Sequence, residues 1–159
     1  MAILPLVDDR LVHGQVLLFW RRHWQIDKIL VANDAVAMDE LRKSALRLII
    51  PPALSCEIVT VAQAATRLAA GTAETRTLLL LASPVDAWDI LKRGAALKHV
   101  NVANLSARPG AKKLTPHLYV TQEERWALDR LSQSGVAVTA KQLPHSSDAF
   151  EAGVPNIAQ

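Results

Sequence analysis

Short apolar runs alternate with longer amphipathic ones along nearly the whole chain, and this rhythm limits the fold more than any other feature of the sequence. The apolar runs have the length and aliphatic content of strands, near residues 3–7, 28–32, 55–60, 77–82, 99–102, 118–120 and 136–142. Apolar residues at helical spacing predict helices near 15–24, 37–48, 61–70, 85–93 and 122–134. Strands joined through helices run parallel, because a parallel pair needs a long crossover, and the crossovers then cover the sheet. The expected class is therefore α/β: an open, mostly parallel twisted sheet of about seven strands with helices on both faces. The run at 118–120 follows no helix and is expected as an edge or antiparallel strand. No linker or internal repeat interrupts the pattern. Residues 1–159 are expected to form one domain, with a loosely ordered tail over 145–159 where Ser146, Ser147, Gly153 and Pro155 gather.

The most informative stretch lies where the first strand hands over to the first helix. It reads Val7-Asp8-Asp9-Arg10-Leu11-Val12-His13-Gly14-Gln15-Val16. Loops at the carboxyl ends of strands in open α/β sheets hold ligands, because helix N-termini with unpaired N–H groups converge there. His13 brings an imidazole that is neutral and nucleophilic near neutral pH. Arg10 brings a planar fork of donors suited to a phosphoryl group, and Gly14 leaves the backbone open to an anion. Asp9 is the expected partner that orients the His13 ring, while Asp8 holds the loop through backbone hydrogen bonds. The N–H groups near Gly14 and Gln15 are placed to stabilise charge. Together these residues describe a histidine poised to accept and pass on a phosphoryl group.

Two later strand ends add candidates. Asn33 either lines the same cleft or only caps the next helix; Ser83 is at once an N-cap before Pro84 and a phosphoryl hydrogen-bond donor. In the first helix Val16, Leu17, Trp20 and Trp24 form a stripe that reads as core packing.

Several chemistries are excluded. His23, His99, His117 and His145 are scattered without metal-ligand spacing, so no metal site is expected, and no cofactor either: Gly-x-Gly-x-x-Gly and Walker A patterns are missing. No Gly-x-Ser-x-Gly elbow supports serine hydrolysis. The formal charge of +3 and pI near 9.3 come without a run of five Lys and Arg or interleaved aromatics, which argues against nucleic acid. A solvated surface or a basic face toward an acidic protein explains the charge. The apolar runs are too short to span a bilayer, no basic leader precedes the first strand, and Cys56 is the lone cysteine; these point to the cytoplasm.

The segment Val7 to Val16 resembles the signature of the IIB subunits in the mannose/fructose/sorbose class of the bacterial phosphoenolpyruvate-dependent sugar phosphotransferase system. Ile29 to Asp34 with Val36 to Asp39, Ala82 to Asp86, Val100-Asn101-Val102 and Gln122-Glu123-Glu124 are similar to later family segments, so the likeness covers residues 1 to 145. It implies that His13 is the phosphorylated residue and that the upstream donor is a phosphohistidine IIA protein. It also implies a membrane IIC/IID permease as partner and a sugar as final acceptor, with a homo-oligomer left open. The chain departs from the family at Leu6, where an arginine is usual, and at Ala103-Asn104, where a glycine pair is usual. Arg108 or Lys112, in a flexible basic loop over 107–113, is expected to stand in for the arginine. These departures motivate an alternative: a relative phosphorylated on His13 that signals to another protein and serves no transporter.

Overall fold

A computed structural model of the protein describes residues 2–71 and 75–156. Six strands form one wholly parallel sheet: β1 (Ala2–Asp8), β2 (Lys28–Ala32), β3 (Ser55–Val59), β4 (Arg76–Leu81), β5 (His99–Asn104) and β8 (Ala137–Thr139), in spatial order β3-β2-β4-β1-β5-β8. A separate antiparallel hairpin pairs β6 (Lys112–Thr115) with β7 (Leu118–Val120). The near-continuous apolar character of β4, buried from Thr77 to Leu81, follows from its position between β2 and β1 with helices over both faces.

Strand alternation divides the core into two layers. Leu6, Ile29, Val31, Leu78 and Leu80 point to one face. That face is covered by a π-helical turn (Val16–Trp20) running into α1 (Arg21–Trp24), and by α2 (Asp34–Ala37) and α3 (Glu40–Ile49). Val7, Leu30, Leu79, Leu81, Val100 and Val102 point to the other. There lie α4 (Val61–Ala70), α5 (Pro84–Lys92) and α6 (Gln122–Gln133).

This arrangement places a topological switch point at β1. The chain leaves β1 toward the α1 side, whereas the segments leaving its neighbours β4 and β5 pass to α5 and to the hairpin with α6 on the opposite side. The connections diverge at the carboxyl end of β1 and open a crevice there.

The structure corrects several expectations. The sheet holds six strands and not seven, because 118–120 pairs in the hairpin; it meets the segment just past β5 through a bridge between Leu105 and Leu118, and its Leu118 and Val120 pack in the core beneath the sheet. The segment expected as a flexible basic loop contributes β6 from Lys112 onward. The helix expected over 37–48 is two helices, since the Asp39 side chain accepts the Arg42 N–H and starts α3 afresh. The strand expected over 136–142 ends at Thr139. Beyond it the N–H groups of Ala140 and Lys141 turn to the carboxylate of Asp148 and the amide oxygen of Asn101. The tail is tied down where it is described: Phe150 is buried in the core and Arg125 donates to the Val154 carbonyl, while 157–159 lie outside the described residues. Among the described residues no helix is long and apolar enough to cross a membrane.

Candidate active site at the carboxyl end of β1

β1 ends in a tight turn that points three candidate side chains in fixed directions. The Leu11 N–H donates to the Asp8 carbonyl at 2.9 Å, and the Arg10 N–H donates to Asp8 Oδ1 at 3.0 Å. Leu11 closes the turn at φ 57°, a left-handed conformation that costs a leucine about 1 kcal/mol. Burial of the Leu11 and Val12 side chains in the α1-side core offsets that strain and pins the loop on either side of Arg10 and His13. Helical backbone begins at Gly14, and the Leu17 N–H reaches the His13 carbonyl at 3.2 Å. The following π-helical turn brings Val16 and Trp20 into the core, as the stripe predicts.

Asp8 is the hub of the site. Its carboxylate, 2% exposed, receives Arg10 Nε at 3.0 Å and Arg10 Nη2 at 2.9 Å, and lies 2.8 Å from His13 Nε2. Burial alone raises the pKa of such a group; the bonds to His13 and Arg10 together outweigh it and hold Asp8 below the ordinary 3.8. The same pairing raises the pKa of Arg10. Arg10 Nη2 also donates to Gln15 Oε1 at 3.2 Å. Among the described residues neither His13 Nδ1 nor Arg10 Nη1 makes a hydrogen bond, and these two nitrogens are what the site offers to a ligand. A Cβ built on Gly14 meets nothing within 4 Å, so the approach beside His13 is open.

Asp9, expected to orient the imidazole, faces the other way. Its carboxylate accepts the Ser106 N–H at 2.7 Å, the Ser106 hydroxyl at 3.0 Å and the Asn104 amide at 3.1 Å. The reason is strand parity: Asp8 follows Leu4 and Leu6 onto the face where α1 packs, and Asp9 falls on the opposite one. A bulge in β5 opposite Val7 and Asp8 helps, because the extra residue, Ala103, brings Asn104 level with Asp8 and within reach of Asp9.

Asp9, Ser83, Asp86, Arg108, Thr121 and Glu124 line a neighbouring open cleft of about 420 Å³. Ser83 keeps its capping role: it accepts the Val85 N–H at 3.2 Å, and its hydroxyl donates to Glu124 at 3.1 Å. Its proton is thus committed. Glu124, buried at the start of α6, also binds Arg108, so the arginine expected to replace the missing one is held on this side of the sheet. Asn33 caps α2 through the Val36 N–H at 2.9 Å. No hydrogen bond joins Asn33 or Ser83 to His13. Among the described residues no three His, Cys, Asp or Glu side chains gather as metal ligands.

The residue sequence reasoning undervalued is Asp8, and the signal that identifies it is its parity with Leu4 and Leu6. Leu6 itself is fully buried in the core beneath Asp8, where a charged side chain would have to reach up to the site to be satisfied.

Residues 3–152 match the family described as "PTS system sorbose subfamily IIB component". The chain belongs to that family. It is a phosphotransferase component with a phosphoryl-transfer role in sugar transport. It is 32% identical over 150 residues to the fructose-specific EIIB component of Bacillus subtilis, covering 94% of this chain and 91% of that one. It is 29% identical over 142 residues to the mannose-specific EIIAB component of Escherichia coli, covering 88% of this chain and 44% of that longer protein. The crystal structure of the IIBSor domain of the Klebsiella pneumoniae sorbose permease superposes with a TM-score of 0.85 at 26% identity, covering 94% of this chain and 93% of that one.

Proposed function

We propose that the protein carries a phosphoryl group on His13 Nδ1. The supporting observation is the Asp8 hub: one buried carboxylate engages His13 Nε2 and grips Arg10, leaving Nδ1 and Arg10 Nη1 free among the described residues. A phosphohistidine IIA protein docks at the carboxyl end of β1. The Nδ1 lone pair attacks its phosphorus in line, the donor N–P bond breaks, and the electron pair returns to the donor imidazole. Asp8 retains the proton on Nε2 and stabilises the positive ring, while Arg10 and the N–H groups near Gly14 and Gln15 neutralise the phosphoryl oxygens. Next, a hydroxyl of a sugar presented by a membrane IIC/IID permease attacks the phosphorus. The P–N bond breaks toward Nδ1 and the hydroxyl proton is released. The protein works at the cytoplasmic face of the membrane, and no step requires a cofactor from this chain's own residues.

The test is intact mass after incubation with phosphoenolpyruvate, the general phosphotransferase proteins and a family IIA subunit. An acid-labile gain of one phosphoryl group in wild type and its loss in His13→Ala is the expected result; phosphorus NMR is expected to place the group on Nδ1. No gain with partners active on another IIB subunit overturns the reading. Failure of the phosphorylated protein to pass the group to any sugar, in membranes holding its permease, assigns it to signalling and not to transport.

A further inference from the structure

The two helical layers differ in what they show to solvent. Seven large apolar side chains are exposed among the described residues, and six lie on the layer that carries His13: Leu18, Phe19, Met38, Leu41, Leu48 and Ile49. Only Trp126 lies on the other. α3 is the extreme case. None of its residues is buried, and Leu41 and Leu48 are 81% and 86% exposed. With Ala45 they recur at the spacing of one helix face, and Met38, 80% exposed, sits just before them.

Charge separates the layers as well. The helices on the His13 side hold five Arg and Lys against two carboxylates, whereas α4, α5 and α6 hold four against five. Arg22, Arg42 and Arg47 make no ion pair among the described residues, although Lys43 pairs with Glu40; on the other layer Arg125 is paired with Asp129 and Lys92 with Asp89, and Arg130 lies over the Trp126 ring. An apolar stripe edged by unpaired arginines is the pattern of a helix that lies in a membrane interface, with aliphatic stems in the hydrocarbon boundary and guanidinium groups among anionic headgroups.

We infer that α3 seats this protein directly on an anionic lipid surface. A second copy fits the patch less well: α3 carries three cations, Arg42, Lys43 and Arg47, against the single carboxylate of Glu40, so two copies face each other with like net charge. A ten-residue helix also falls short of the roughly 800 Å² a side of a stable dimer. α3 starts at the carboxyl end of the sheet, the end that holds His13, and runs back toward β3. Seating it keeps the His13 loop at the membrane edge. That benefit rests on the reading above, in which the phosphoryl group goes to a sugar held by a membrane protein.

Sedimentation of the full chain with vesicles of phosphatidylcholine, and of phosphatidylcholine mixed with phosphatidylglycerol, tests the inference. The expected result is binding to the mixed vesicles that weakens with salt and drops about tenfold or more in Leu41→Glu/Leu48→Glu and in Arg42→Glu/Arg47→Glu. Trp126→Ala is expected to bind as wild type does. Equal binding to both vesicle types, no binding, or wild-type binding by the α3 variants overturns it. So does a concentration-dependent dimer in sedimentation velocity that Leu41→Glu/Leu48→Glu abolishes, since a second copy then covers the stripe. Phosphoryl uptake from soluble donors, measured on the same variants, is expected to match wild type. Uptake with no vesicle binding removes lipid seating alone, and vesicle binding with no uptake removes the carrier role alone.

Discussion

Asp8 and Asp9 share a peptide bond, yet the sheet sends their carboxylates to opposite helical layers. Asp8 turns toward α1 and engages two side chains with ligand-directed nitrogens. Asp9 turns toward α5 and α6 and binds only groups that hold loops in place, Ser106 and Asn104. One carboxylate gathers the imidazole and the guanidinium of the candidate site, and the other fastens the end of β1 to the segment after β5. Adjacent identical residues can thus carry separable jobs wherever a strand ends at a switch point.

Substitutions at the two positions are expected to break differently. Asp8→Asn should slow phosphoryl uptake by about 10²-fold, because the neutral amide neither fixes the proton on His13 Nε2 nor balances Arg10; rapid-quench kinetics would measure it. Asp9→Ala should leave that rate within a few-fold and instead cost about 2 kcal/mol of stability in urea unfolding, since three hydrogen bonds go with it. Equal rate losses at both positions would erase the distinction.

The pH dependences should also oppose each other. Asp8 has a folded pKa below its ordinary value, so its stabilisation is full above that value and is lost as pH falls through the folded pKa. Asp86, in the cleft on the Asp9 side, is pushed up to about 6 by burial and by the nearby charges of Asp34 and Asp89. The folded state therefore binds the Asp86 proton more tightly, and stability declines as pH rises from about 4 to 6. Asp86→Asn is expected to raise stability at neutral pH by about 1 kcal/mol and to flatten that decline in urea titrations at several pH values. An effect of similar size and opposite sign is expected at Asn104→Gly, which restores a family-like glycine at the bulge. It should cost about 1 kcal/mol through the lost bond to Asp9 and added backbone freedom, with little change in uptake.

Much of this was legible in the residues. β2 lies where its apolar run predicts it, because a strand buried on both faces leaves little room for polar side chains, and β3 and β7 also fall on the short aliphatic runs that predict them. The Ser83-Pro84 start of α5 and the core role of Trp20 were legible for local reasons: a cap and a periodic stripe act within one turn or two. β6 was hidden because Lys112 and Lys113 are exposed and polar, and their pairing with β7 is a contact that no pattern within the segment requires. The early end of β8 was hidden because Asp148 and Asn101, far along the chain, capture the N–H groups that would have extended it.

By itself the sequence determined the parallel α/β class, the placement of His13, Arg10 and Gly14 at the first strand-to-helix junction, and the likeness to a phosphotransferase family. Those follow from periodicity and functional-group type, which are local. Only the tertiary structure decided which of two adjacent aspartates meets the histidine, that Ser83 and Arg108 are spent on Glu124, and that α3 leaves its leucines uncovered. Such outcomes depend on which layer each helix joins, and on groups tens of residues apart competing for the same protons.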